Sequence, residues 1–243
     1  NNIENTYNSL IISYYLCKNN ICNGIITLPI NKSKIIDKID KKFIGQTELY
    51  EKLDNKRISN MIFYSEKFII TSLTTHIPIN EINKHISKKN YIFEKILSLK
   101  KTLNNDFNIK NPKLLFLGLN PHAGEMGKIG FEESKYIKPT IKKLKLKKII
   151  IDGPVSADSA FNSNNLKYYD CFISTFHDQA LIPFKIINKF DGVNYTGSLD
   201  IIRISPDHGT GYKQIDTKYA NDKSIKYCFK ILRKIINNRN LIA

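Results

Sequence analysis

Four consecutive apolar residues, Leu114-Leu115-Phe116-Leu117, lead into Gly118-Leu119-Asn120-Pro121-His122-Ala123-Gly124-Glu125. A run this short, apolar at every position and closed by a proline–glycine turn, has the pattern of a strand buried on both faces. Similar short runs occur at residues 69–73, 148–151 and 171–175, with a shorter one at 24–27. Between them lie stretches with helical spacing, at 7–18, 47–53, 82–103, 131–145 and 215–236. Residues 61–64 and 68–73 read as paired strands around Ser65-Glu66-Lys67, and Thr47 is placed to cap the helix that follows it. Alternation of strand and helix predicts an α/β fold with a mainly parallel sheet and helices on both faces.

In such a sheet, ligands gather at the carboxyl ends of the strands. Three of the five histidines, His76, His122 and His177, stand just beyond an apolar run. The gaps, 122 − 76 = 46 and 177 − 122 = 55 residues, fit ligands drawn from separate βα units rather than a local zinc finger. Three imidazoles around one divalent cation would leave a position open for substrate. Each histidine alone reads as an ordinary capping or core residue, and it is the three matching contexts that point to a shared site. Asp178, beside His177, is a candidate partner for that ring.

Other loops carry anion-binding chemistry. Gly124 to Gly130 is glycine-rich, but lacks both the Walker ending and the dinucleotide spacing. Gly45-Gln46-Thr47-Glu48 opens a helix and offers hydroxyl and amide groups. Arg203 sits in the otherwise apolar run Ile201-Ile202-Arg203-Ile204. A buried arginine needs a partner, either a ligand carboxylate or phosphate or an internal acid. Lys185 and Asn194 lie on the preceding segments, and Asp207-His208-Gly209-Thr210-Gly211 is a polar turn able to approach a nucleotide closely.

Composition narrows the function classes. The chain has 243 residues, enough for one large domain or two modest lobes around a cleft, and 42% of them are hydrophobic, enough for a core. The net charge of +16 raises nucleic-acid binding. The lysines are spread along the chain beside abundant Asn and Ile, which reads as AT-rich codon usage rather than a phosphate-binding patch. Four scattered cysteines without a C-x-x-C pair argue for a reduced, cytoplasmic setting. No apolar run approaches the roughly 20 residues of a membrane span, and the opening residues have no apolar signal core. The chain starts at Asn1 without an initiator Met, as expected of a fragment or a processed form.

Taken together, several segments resemble the 4-hydroxythreonine-4-phosphate dehydrogenase family of pyridoxal phosphate biosynthesis. They are Gly45-Gln46-Thr47-Glu48, Thr74-Thr75-His76-Ile77-Pro78, Asn120-Pro121-His122-Ala123-Gly124-Glu125, Gly153-Pro154 through Ala157-Asp158, His177-Asp178-Gln179-Ala180-Leu181, Gly192-Val193-Asn194, and Arg203 through Asp207-His208-Gly209-Thr210. The resemblance runs from about residue 24 onward. It implies a two-lobed fold similar to isopropylmalate and isocitrate dehydrogenases. One lobe would comprise residues 1–36 and 148–243, on the cofactor side, and the other residues 37–147. It also implies a homodimer with active sites shared between subunits.

The resemblance further implies a divalent metal (Zn, Mg or Co) held by His76, His122 and His177. Gln46, Thr47, Lys185, Asn194 and Arg203 would bind substrate, and Asp178 and Lys185 are the candidate acid–base groups. His208, Gly209 and Thr210 would lie against NAD or NADP. The implied reaction oxidises 4-phosphooxy-L-threonine and decarboxylates the product to 3-amino-2-oxopropyl phosphate. Alternatives are a dehydrogenase of 4-phospho-D-threonate or erythronate, or a metal-binding inactive remnant. The chain departs from the family pattern in three places. Gln46 replaces a histidine, Leu28 replaces a glycine, and the family's first βα units have no counterpart.

Overall fold

A computed structural model describes residues 2–212 and 221–241. The order of elements is α1 (Asn2–Lys18), β1 (Ile25–Ile26), α2 (Lys32–Lys38), α3 (Gln46–Leu53), β2 (Asn60–Tyr64), β3 (Ile69–Ser72), α4 (Ile82–Ile86) and α5 (Tyr91–Phe107). There follow β4 (Leu114–Leu117), a tight turn over Pro121–Gly127, a π turn over Glu133–Ile137, α6 (Lys138–Leu146), β5 (Ile151–Val155) and α7 (Ser163–Tyr168). The chain continues through β6 (Cys171–Ser174), α8 (His177–Asn188), β7 (Val193–Gly197), β8 (Arg203–Pro206) and α9 (Lys223–Asn240).

The eight strands form one sheet in the order β1-β8-β7-β2-β3-β6-β4-β5. The pairs β1–β8, β3–β6, β6–β4 and β4–β5 are parallel. The pairs β8–β7, β7–β2 and β2–β3 are antiparallel. The sheet is therefore mixed and mostly parallel, as the alternation of elements predicts. Strands from residues 37–147 interleave with strands from the flanking segments, since β6 lies between β3 and β4.

The continuous apolar runs follow from burial on both faces. Leu114 and Phe116 of β4 point into one core with residues of α5, α6 and α9, whereas Leu115 and Leu117 join Phe63, Phe172 and Phe184 in a second core under α8. A third core packs α1, α2 and α3 against Leu199 and Ile201. The β2–β3 turn is fixed by Ser65, whose hydroxyl accepts from the Lys67 and Phe68 amides.

Several boundaries differ from the sequence expectation. Residues 82–103 are not one helix: Asn90, at φ 62°, breaks the chain between α4 and α5. The 131–145 stretch begins as a π turn before becoming α6. The strand expected at 148–151 starts only at Ile151, because Lys148 adopts φ 58° after the helix ends. The terminal helix begins at Lys223 rather than 215, and residues 215–220 of that expectation lie outside the described residues. The strands β7 and β8 were not foreseen. Their apolar residues alternate with polar ones that face a cavity instead of solvent.

Candidate functional site

The polar alternation on β7 and β8 builds the floor of the site. Asn194 pairs with Ser205 in the ladder and Tyr195 with Ile204, so Asn194, Thr196, Arg203 and Ser205 share one face. Val193, Tyr195 and Ile204 fill the core behind it. On the neighbouring β2, Met61 and Phe63 stand opposite Thr196 and Asn194, adding apolar wall. The cavity over this face has a volume of about 320 Å3. Its lining includes Lys32, Gln46, Thr47, His76, His177, Lys185, Asn194, Arg203, Asp207, His208, Gly209 and Thr210. The fold thus gathers nearly every candidate residue from five separate stretches of chain.

Arg203 is the chemical centre of the floor. It is 3% exposed. Its Nε and Nη2 donate to Thr27 Oγ1 at 3.0 and 2.8 Å, Nη1 to Thr196 Oγ1 at 3.0 Å and Thr47 Oγ1 at 3.4 Å, and Nη2 to Gln46 Oε1 at 2.7 Å. The Tyr50 ring lies 5.9 Å from the guanidinium carbon. Among the described residues no carboxylate pairs with it. Burial of this charge pushes its pKa down to about 10. A guanidinium held dry by neutral acceptors retains its positive charge for something that enters the cavity.

The start of α3 serves this arrangement. Thr47 was expected to cap the helix, but Gly45 occupies the cap position and α3 begins at Gln46. The Thr47 hydroxyl is thereby turned toward Arg203 and is not spent on the helix amides. Gln46 is committed at both ends, since its Nε2 donates to the Leu28 carbonyl at 2.9 Å while Oε1 accepts from Arg203. The two departures at Gln46 and Leu28 therefore touch each other, and Leu28 joins through its backbone, with its side chain exposed at the cavity mouth.

His76 and His177 meet at the edge of the cavity with ring centroids 5.7 Å apart. Each ring is aimed by a carboxylate through Nδ1, His76 by Glu48 Oε1 and His177 by Asp178 Oδ1, both at 2.7 Å. Burial works against ionisation of Glu48, yet the bond and charge of His76, with Lys32, hold its pKa below the usual carboxylate value. Carboxylate–imidazole pairs of this kind orient metal ligands and leave Nε2 for the ion. Two such imidazoles fit a divalent cation in part. His122 does not join them. It is exposed on the 121–127 turn and lines none of the described cavities, and among the described residues no three His, Cys, Asp or Glu side chains group as a metal site. The glycine-rich stretch 124–130 likewise lies away from the cavity floor. Asp178 is placed outside the main cavity, in a smaller one beside His76 and His177, whereas Lys185 lines the main one.

The 121–127 turn is itself unusual. His122, Ala123, Gly124, Glu125 and Met126 all have positive φ, from 39° to 77°. Such backbone costs energy at each non-glycine residue and must be held from outside. Glu133, 1% exposed, does so, accepting from the Leu119 and Asn120 amides at 2.8 and 2.7 Å and from Asn120 Nδ2 at 2.9 Å. A Cβ on Gly124 would fall 2.6 Å from the Glu133 carboxylate, so the turn closes only over glycine.

Residues 1–232 match the family model described as "Pyridoxal phosphate biosynthetic protein PdxA". The chain belongs to the PdxA family. It is 38% identical to the 4-hydroxythreonine-4-phosphate dehydrogenase of Bacteroides thetaiotaomicron over 88% of this chain and 59% of that relative. The Aquifex aeolicus enzyme of the same name is also 38% identical, over 88% of this chain and 66% of its own length. The solved structure of the Klebsiella pneumoniae 4-hydroxythreonine-4-phosphate dehydrogenase superposes with a TM-score of 0.79 at 27% identity, covering 93% of this chain and 68% of that one. This chain thus spans about three-fifths of the length of curated family members. The family match starts at residue 1, ahead of the residue 24 at which the motifs first become visible.

The sequence reading missed Thr27 and Thr196, the hydroxyls that seat Arg203, and Glu48, which aims His76. The polar–apolar alternation Arg203, Ser205, Asp207 was the available signal for a polar strand face.

Proposed function

We propose that this chain carries the substrate site of a dehydrogenase acting on a phosphorylated hydroxy acid, with 4-phosphooxy-L-threonine as substrate. The observation that carries this reading is Arg203, a buried cation without an acidic partner among the described residues, at the floor of a cavity that Lys32 and Lys185 also line. A phosphate offers several charged acceptor oxygens to a guanidinium and nearby hydroxyls at once. The family match and the relatives' names support the substrate class.

In the proposed reaction the hydroxyl-bearing carbon loses a hydride, and the resulting β-keto acid loses carbon dioxide to give 3-amino-2-oxopropyl phosphate. When bound, NAD or NADP supplies the hydride acceptor and a divalent cation (Zn, Mg or Co) supplies Lewis-acid stabilisation of charge on the substrate oxygen. The cavity volume suits a small metabolite. A dinucleotide would therefore lie along the open edge at His208, Gly209 and Thr210. Arg203, Thr47 and Lys185 fix the anionic end and so set the position of the reacting carbon. His76 and His177 would provide two metal ligands, and His122 from a second copy would complete the set. The exposed His122 turn, with Met126 and Phe131 also exposed, favours such a homodimer. Three buried cysteines, Cys17, Cys171 and Cys228, all as free thiols, support a reducing, cytoplasmic setting. No described helix is long and apolar enough to cross a membrane.

Calorimetric titration of the purified chain with 4-phosphooxy-L-threonine and with inorganic phosphate tests the reading. Arg203→Met is expected to weaken both by about a hundredfold, the worth of roughly 3 kcal/mol for a charged hydrogen-bonding group. Unchanged binding would remove the basis of the assignment.

A further inference from the structure

We propose that Asp207 determines specificity in this cavity by receiving a protonated amine of the ligand whose anionic end sits on Arg203. The inference rests on the reading of the cavity as a phosphorylated-substrate site. Arg203, Ser205 and Asp207 alternate along β8 and its end, so all three fall on the cavity face. Four residues of strand separate the outer two by roughly 13 Å at Cα. A long arginine reaching inward shortens that span to the scale of a small metabolite.

Asp207 is half-buried and lines the cavity. Its Oδ2 is shut from water and has no hydrogen-bond partner among the described residues. The fold keeps space for this carboxyl. A Cβ on Gly192 would lie 3.1 Å from Asp207 Oδ2 and 2.5 Å from the Phe184 ring. Lys185 acts on Asp207 through charge, without a hydrogen bond to its Oδ2. Burial raises the pKa of Asp207, as expected of a carboxyl that its protein surroundings leave undercompensated. A carboxylate shares its charge over both oxygens, so a cation reaching either one compensates the group. Asn194 Oδ1, on the same cavity face, is also a buried acceptor without a partner. Two unpartnered acceptors on the cavity face that also carries Arg203, a cation without an acidic partner among the described residues, call for a ligand that is anionic at one end and a donor at the other. An ammonium meets this need more fully than a hydroxyl, because it neutralises the acid as well as bonding to it.

The test compares 4-phosphooxy-L-threonine with 4-phospho-D-threonate, in which a hydroxyl replaces the amine at the same configuration, by calorimetry on the full chain. Wild type is expected to prefer the amine ligand by at least about tenfold. Asp207→Asn should abolish the preference while leaving affinity for the amine-free ligand and for inorganic phosphate within about twofold. Asp207→Ser provides a second variant with the same expectation, and phosphate binding reports that each is folded. Retained preference in both variants overturns the role of Asp207 alone. Equal loss of both organic ligands with phosphate binding intact also overturns it. If wild type binds neither organic ligand nor phosphate, the substrate-site reading falls, and this proposal with it.

Discussion

Lys95 shows how a single buried cation becomes a pH-dependent term in stability. Its ammonium donates to the Ser59 carbonyl and lies in a cavity beside Glu51 and Thr47, adjoining the main site. Burial lowers its pKa to about 8, against attraction from Glu51 and Glu48. The folded pKa is thus below the unfolded one. Below about pH 8 both states hold the proton and the full penalty of the buried charge is present. Between about 8 and the ordinary lysine value the unfolded chain holds more protons, so raising the pH stabilises the fold. The side chain is only half-buried and lines an open cavity, so solvent screening reduces the expected gain to about 1–2 kcal/mol. Urea unfolding at pH 7.5 and 9.5 should show this rise in wild type relative to Lys95→Met. A parallel response in the two proteins would contradict the assignment. Arg203 obeys the same physics in a different setting, because the cavity that Lys95 lines holds three glutamates, whereas no carboxylate among the described residues pairs with Arg203.

At the scale of elements, the instructive unit is the His122 turn with the π turn that braces it. Five successive positive-φ residues persist because Glu133 satisfies two backbone amides from inside the protein. The π turn follows from the same demand, since it occupies the segment that carries this carboxylate inward. Glu133→Ala would leave two amides without their acceptor and release the strained turn. The expected loss is about 2–4 kcal/mol of stability in denaturant unfolding, with amide exchange accelerating locally over 119–127. Glu133→Gln keeps one acceptor oxygen and should fall between Ala and wild type. Uniform acceleration of exchange across the molecule would show instead that the turn has no separate stability.

For the whole molecule, the unmet group is the third histidine. His76 and His177 share an edge within one chain, whereas His122 is displayed at an exposed turn. If two copies complete each other's sites, sedimentation should give twice the 28.1 kDa mass of the chain. His76→Ala and His122→Ala should each fail to retain a divalent metal. Refolding them together should restore one intact site per mixed dimer, because one of the two composite sites then carries both native rings. Metal analysis of the mixture reads this directly, and no recovery would place His122 outside the site.

What the sequence determined by itself is local and periodic. The short runs at 69–73, 114–117 and 171–175, apolar apart from Thr71, Ser72, Ser174 and Thr175, read as strands buried on both faces, because they are too short for helices and do not alternate as half-exposed strands do. The motifs around His76, His122, His177 and Arg203 marked the family. Tertiary structure decided which of these side chains meet. The sheet order brings β8 beside β1 and β7, which gives Arg203 the hydroxyls of Thr27 and Thr196, and α3 adds that of Thr47, with no carboxylate among the described residues paired to it. It also sets two histidines together and leaves the third apart. Periodicity records which face a residue occupies, but not which distant strand lies next to it, and charge compensation depends on that neighbour.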